Sequence, residues 1–462
     1  MVKIQRPQQV RLDNLSSLPL DLLVQITKYL DPADIIRSQR VSKRWNEIFS
    51  NRTIIATALR QTLDILGLKS AHVPVSDAMT YFRWRHGLQA AQPIKKVFLP
   101  WSTPRKPNYV FYHSRRLCCG VSQRSNEVYM LDLQSGEKTT WPYDKWDLWG
   151  YITLSDRYLV LVSAAVLFSI LSSVTVWDLR TSQRWVKHLR VSSVGISIEG
   201  DKVIIPNKGS SLDARPILVW DLNADRVQEV GGFRKLALWH VDANENTLIA
   251  FEINWDINPP EVQQTKWALT GRLIDRKQFH LPLRDREDVK FKFPERRCYR
   301  TCCHKTVTQL ISRTEDHASM HLTYDSSIDQ LSAQWIERAE PMNRKISMDV
   351  DSRAFLTSDI AYGWGRHPRQ LAVYNAAEGT TTLRPFQLDS RQIIVRKLTG
   401  HPPSGRRRIQ IVPLREVPIQ AFGDHEVFGL ASHEGAQLWF FNPNFVPDLP
   451  DAEPFLAMEE SG

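Results

Sequence analysis

The sequence predicts a mainly β chain with an α-helical module at its N-terminus. Three short helices and a helical connector come first, followed by a β-propeller of six to eight blades. Up to about residue 92 the apolar residues recur with the 3.6-residue period of helices; from Pro93 onward they form short strands separated by turns. Three strand segments are nearly superimposable: Val128-Tyr129-Met130-Leu131-Asp132-Leu133, Val174-Thr175-Val176-Trp177-Asp178-Leu179 and Ile217-Leu218-Val219-Trp220-Asp221-Leu222. Their spacing is roughly forty-five residues, the period of a four-stranded blade. Fifteen Trp residues fit many repeated packing sites or one large all-β core.

The helical part reads in order. Asp21 to Leu30 gathers Leu22, Leu23, Ile26 and Leu30 on one face, with Pro19 just before it. Asp31 is placed to cap a second helix, with Pro32 at its first position and Asp34 in its first turn, where a negative charge suits the helix dipole. Ile35 and Ile36 supply its apolar side. Ser42 can cap a third helix in which Trp45, Ile48 and Phe49 fall three and four apart. A unit this small cannot bury Leu18, Leu22, Leu23, Ile26 and Ile35 by itself. Either these residues meet a partner, or the helices cap the neighbouring domain.

The positions Leu18-Pro19, Asp21, Leu22-Leu23, Ile26, Leu30, Asp34-Ile35, Val41-Ser42-Lys43-Arg44 and Trp45 resemble, in order, the pattern of the F-box family. Thr27 departs from it, standing where an aliphatic or aromatic residue is common, and Ser38 occupies a small-residue position. The resemblance covers about one tenth of the chain and is of the fungal F-box protein type. It implies docking on a Skp-type adaptor and, through that adaptor, on cullin and RING subunits of a ubiquitin ligase. Leu18, Pro19, Leu22, Leu23, Ile26, Leu30 and Ile35 are the expected adaptor contacts. Val41, Trp45 and Ile48 are the expected core of the module.

The expected boundaries are 15–52 for the F-box, 53–92 for the connector, 93–447 for the propeller and 448–462 for an acidic, disordered tail. In the connector, Ile55, Leu59, Leu63 and Leu66 continue a helical period with Gly67 as its stop, and a second helix runs from Ser76 to about His86. No Gly/Ser-rich linker separates the helical module from the β part, which suggests a stiff connection.

In the β part, weaker echoes of the repeat occur at Lys266–Leu269, Leu371–Tyr374 and Gln437–Phe440, with Thr306–Arg313 and Met320–Tyr324 supplying a further blade. The pattern is similar to divergent WD-repeat and quinoprotein-like propellers, although the Gly-His marks of good WD repeats are missing. An isolated β-sandwich is the alternative; a period sustained over more than three repeats favours a ring. Tyr158 to Trp177 carries no charge and is nearly long enough to span a bilayer. Its serines and β-branched residues fit two buried strands joined near Leu167–Ser173 instead.

The formal charge of +10 favours acidic partners or is simply a solvated basic surface. Arg406-Arg407-Arg408, after Pro402-Pro403-Ser404-Gly405, forms a candidate contact for an acidic or phosphorylated target, an import signal, or a solvated turn. Five cysteines without framework spacing argue for a reducing cytoplasmic or nuclear setting. Cys298, Cys302, Cys303 and His304 lack a CxxC pair, so strand thiols are expected rather than a metal site. The repeated Asp132, Asp178 and Asp221 read as turn partners, because repetition by blade sets them apart. Trp177, Trp220 and Trp439 read as packing between blades.

The sequence contains no phosphate-cradling loop, GxSxG or HExxH motif. Together with the F-box resemblance, this makes the expected function that of a non-catalytic substrate receptor, the propeller binding the target protein, with no cofactor, no nucleic acid and no membrane partner. The alternatives are a propeller enzyme whose turnover runs through its F-box, and a non-degradative adaptor-bound scaffold.

Overall fold

The computed structural model describes residues 17–66, 68, 73–100, 107–121, 127–142, 149–164, 172–189, 196–206, 215–233, 236–242, 245–254, 257, 259–281, 299–303, 306–312, 319–326, 328–336, 353–355, 360–364, 370–375, 380–385, 420–431 and 435–447. The chain divides into two compact units, 1–92 and 93–462.

The first unit contains α1 (Leu20–Thr27), α2 (Pro32–Ser38), α3 (Lys43–Phe49), α4 (Arg52–Ile65) and α5 (Ala78–Ala90). The Ser42 hydroxyl accepts from the Trp45 N–H at 3.1 Å, the predicted cap of α3. Asn51 caps α4 in the same way, accepting from the Thr53 N–H at 2.9 Å. Asp31 does not cap α2: its carboxylate accepts instead from Gln89 Nε2 at 2.9 and 2.8 Å, which ties the start of α2 to α5. A 3-10 turn, Val75–Asp77, precedes α5, and the helix runs past His86 until Ala91 takes a left-handed backbone at φ 54°. Gly67 lies outside the described residues.

Leu23, Ile35 and Phe49 pack with Ile54, Ala58, Leu59 and Leu63 of α4 and with Ala78 and Phe82 of α5. The connector helices thus complete the core that the first three helices cannot close alone.

The second unit begins with β1 (Lys95–Pro100). Blade 1 comprises β2 (Pro107–His113), β3 (Arg116–Val121), β4 (Glu127–Asp132) and β5 (Lys138–Pro142). Blade 2 comprises β6 (Trp149–Leu154), β7 (Tyr158–Ala164), β8 (Ser172–Asp178) and β9 (Arg184–Leu189). Blade 3 comprises β10 (Ser197–Glu199), β11 (Lys202–Pro206), β12 (Arg215–Asp221) and β13 (Arg226–Phe233). Blade 4 comprises β14 (Leu236–Asp242), β15 (Thr247–Asn254), β16 (Glu261–Ala268) and β17 (Leu273–His280). Blade 5 comprises β18 (Tyr299–Cys303), β19 (Thr306–Ser312), β20 (Ser319–Asp325) and β21 (Gln330–Ile336). Blade 6 comprises β22 (Arg353–Phe355), β23 (Ile360–Trp364), β24 (Gln370–Asn375) and β25 (Thr380–Pro385). Blade 7 comprises β26 (Gln420–Gly423), β27 (Val427–Ala431), β28 (Gly435–Phe440) and, as its outer strand, β1.

The described residues therefore form seven four-stranded sheets, within the predicted range of six to eight. First strands adjoin around the ring: β10 beside β6, β6 beside β2, β2 beside β26 and β26 beside β22. The last blade is completed by the unit's first strand, pairing antiparallel from Lys95↔Phe440 to Pro100↔Gly435. Closure of this kind removes the exposed edges that an open array of sheets would carry at its two ends.

The repeated Asp-Leu pair has a physical cause. Each Asp ends the third strand of its blade, and one carboxylate oxygen accepts two N–H groups of the adjoining turn. Asp132 accepts from Gln134 and Ser135 at 2.9 and 3.0 Å, Asp178 from Arg180 and Thr181 at 2.8 and 3.3 Å, and Asp221 from Asn223 and Ala224 at 3.0 and 3.1 Å. The Leu N–H donates back to the carbonyl just before the second strand: Leu133 to Arg115, Leu179 to Arg157 and Leu222 to Asp201, at 2.8, 2.8 and 2.9 Å. Leu269 and Phe441 donate in the same way to Asn246 and Glu426, so two of the weaker echoes share the device.

The predicted Trp residues are packed: Trp177, Trp220 and Trp439 are all buried. The uncharged segment forms the two middle strands of blade 2, β7 and β8, paired from Tyr158↔Asp178 to Ala164↔Ser172. No helix among the described residues is long and apolar enough to cross a membrane. Arg406, Arg407, Arg408, Cys298, His304 and the 448–462 tail lie outside the described residues.

Candidate docking surface

The first turn of α1 starts directly after Pro19, whose carbonyl accepts from the N–H groups of Leu22 and Leu23 at 3.1 Å each. Successive leucines of one helix point different ways. Leu23 is 5% exposed and joins the core, whereas Leu22 is 50% exposed and Leu20 43%. Pro19 is exposed, and Leu18, Ile26 and Leu30 are half-buried. Ile35 is fully buried. Thr27, the departure from the family pattern, is buried with its hydroxyl donating to the Leu23 carbonyl at 2.7 Å, so its polar atom is satisfied within α1.

Two expectations are corrected here. Val41, expected in the core, is 63% exposed, because it falls in the turn between α2 and α3 and not on a helix face. Leu23 and Ile35 are not left uncovered, since α4 and α5 bury them. Trp45 and Ile48 are half-buried against that core, and Trp45 lies 5.8 Å from Phe49 ring to ring.

What remains open to solvent is an apolar strip from Pro19 through Leu20 and Leu22, with half-buried Leu18 and Ile26 on the same short helix and its lead-in. Tyr29 is also exposed, at 88%. Leu20 and Tyr29 escaped the sequence-based selection, because helical period alone does not say which side α4 and α5 will cover. The exposed charges of the first three helices are Lys28, Arg37, Arg40, Lys43 and Arg44 against Asp21 and Glu47. Arg37 bridges to Asp34 at 3.1 Å.

Between blades 2 and 3, Arg157, Tyr158, Asp178 and Asp201 form a polar seam. Arg157 donates to Asp178 within blade 2 and to Asp201 of blade 3, both at 2.9 Å, and Tyr158 donates to Asp201 at 2.5 Å. Burial alone would raise the Asp178 carboxyl; the Arg180 N–H, the Arg157 guanidinium and the Thr181 N–H hold it below the usual carboxylate range. Cys118 and Cys119 are buried free thiols, and burial pushes both well above the ordinary thiol value. Among the described residues no group of three His, Cys, Asp or Glu side chains is arranged to hold a metal.

The chain thus has a short helical module followed by a β-propeller, in which the described residues form seven four-stranded blades. Residues 15–57 match the F-box-like family model, which identifies the module as an F-box-like domain. A comparison with curated proteins returned no match. Among solved structures, hydrazine synthase of Kuenenia stuttgartiensis is similar at 15% identity, over 60% of this chain and 77% of that one, with a TM-score of 0.37. The β-propeller domain of the Trilobed protease from Pyrococcus furiosus is similar at 10% identity, over 64% and 82%, with a TM-score of 0.33. TolB from Acinetobacter baumannii is similar at 12% identity, over 68% and 71%, with a TM-score of 0.35.

Proposed function

We propose that this protein is the substrate-recognition subunit of an SCF-type ubiquitin ligase. The F-box-like module docks on a Skp-type adaptor, which connects it to cullin and RING subunits. The propeller holds the protein to be ubiquitinated, and the chain performs no chemistry itself. The observation that carries this reading is the apolar strip of Pro19, Leu20 and Leu22 left exposed by a domain that matches the F-box-like family.

Of the residues expected at the adaptor interface, Leu18, Pro19, Leu22 and Ile26 make the direct contacts in this proposal, joined by Leu20. Leu23, Leu30 and Ile35 act from beneath, by fixing how α1 and α2 present that strip. The surrounding basic side chains suit an adaptor surface with acidic borders. The target stays defined only by class: a protein, with an acidic or phosphorylated segment favoured by the net charge of +10. We place the protein in the cytoplasm or nucleus, a setting in which its buried cysteines stay reduced.

Leu22→Asp tests the docking half. The residue is already half exposed, so the change should leave folding within about 0.5 kcal/mol of the parent. Adaptor co-purification should be lost. A Leu22→Asp chain that still brings down adaptor and cullin at the parental level would remove the support for this function.

A further inference from the structure

We infer that residues 441–447 form a clasp that holds β1 in the ring, and with it the strand through which the docking module is attached. The segment comes directly after β28 and makes no ladder of its own, yet it is fixed at Phe441, Asn442, Asn444, Phe445 and Pro447. The Phe441 N–H donates to the Glu426 carbonyl at 2.9 Å. Asn442 is buried, and its Nδ2 donates to Glu426 Oε1 at 2.6 Å. Asn442 Oδ1 in turn accepts from the Asn444 N–H at 2.9 Å.

Phe445 is the tooth of the clasp. It is 4% exposed and shares one apolar cluster with Val97 and Leu99 of β1, with Leu117 and Leu131 of blade 1, and with Phe440 of blade 7. The Arg115 guanidinium covers its ring at 4.3 Å. The same guanidinium grips Glu426 through two bonds of 2.7 Å, so the clasp and the seam between blades 1 and 7 share one anchor. The final contact returns to β1: Lys95 Nζ donates to the Pro447 carbonyl at 2.8 Å.

β1 needs such a hold. As the outer strand of blade 7 it has a hydrogen-bonded neighbour on one side only, and only residues 91–94 separate it in sequence from α5. The clasp adds its contacts to the ladder with β28, to the packing of Val97 and Leu99 in the shared core, and to Lys96 over the Trp439 ring at 4.8 Å.

Hydrogen exchange of the full-length protein tests this, with Phe445→Ala to remove the tooth and Lys95→Met to remove the last contact while keeping β1 intact. Both should speed exchange of the Lys95–Leu99 amides by about tenfold or more, Lys95→Met through one lost charge-assisted bond and Phe445→Ala through a lost buried ring. Blades 2 to 4 should keep the parental rate. Limited proteolysis should then release the N-terminal helices sooner. Unchanged exchange at β1 in both variants, or an equal rise in every blade, would overturn the proposal.

Discussion

The Arg115–Glu426 pair offers the sharpest energetic test of how the ring is closed. It joins blade 1 to blade 7 by two parallel bonds of 2.7 Å, with the Glu426 side chain 10% exposed and that of Arg115 31%. The two halves are therefore unequal. Arg115→Ala strands a largely buried carboxylate with only Asn442 to satisfy it, and should cost about 3 kcal/mol, the low end for breaking such a pair. Glu426→Gln leaves a more exposed guanidinium that water can solvate, and should cost about 1–2 kcal/mol.

Acidity separates the two further. Burial alone would raise the Glu426 carboxyl, but the hydrogen bonds and charge of Arg115, with Asn442, hold it below the ordinary carboxylate value. A carboxyl depressed in the folded state contributes stability that is complete above its unfolded value, about 4.3. That contribution disappears as pH falls through the folded value. Urea unfolding of the full chain at pH 7 and near pH 3 should show both variants closer to the parent at the lower pH. Equal costs for the two substitutions, or a gap that does not narrow in acid, would refute the assignment of this pair as the seam's charged anchor.

Two further substitutions probe each unit on its own. Leu23→Ala should cost about 2–4 kcal/mol, because the side chain is 5% exposed in the core of the helical unit; circular dichroism should show helix loss with strand signal retained. Gly423→Ala should lower the unfolding midpoint by the equivalent of about 2 kcal/mol, since Gly423 sits at φ +144° and a Cβ there would lie 2.2 Å from the Val427 carbonyl oxygen.

The legible parts of the chain are those in which a local pattern carries the whole cause. Asp132, Asp178 and Asp221 each serve their own turn, so the repeat announces itself in six residues. The Ser42 cap is equally local. Positions decided by distant chain were harder to read. Nothing around Lys95-Lys96-Val97-Phe98-Leu99 says that its ladder partner is Gly435–Phe440. The same holds for Leu22 and Leu23, adjacent leucines whose fates are separated by α4 and α5. Asp31 carries a cap signature and was drawn away by Gln89, a residue that no window around α2 contains.

The origin of the seventh blade's outer strand has a consequence in time. β1 is made early, whereas the partner in its ladder, Gly435–Phe440, is among the last described segments to leave the ribosome. At about 5–20 residues per second this gap lasts roughly twenty seconds to a minute. Throughout that interval Val97 and Leu99, both buried in the finished protein, have no ladder to join. A nascent chain in that state presents an apolar strand to every neighbour, including other copies of itself. Completion of the ring therefore waits for synthesis of residues 435–440, and premature stops before residue 435 should yield chains prone to association, however many whole blades they contain.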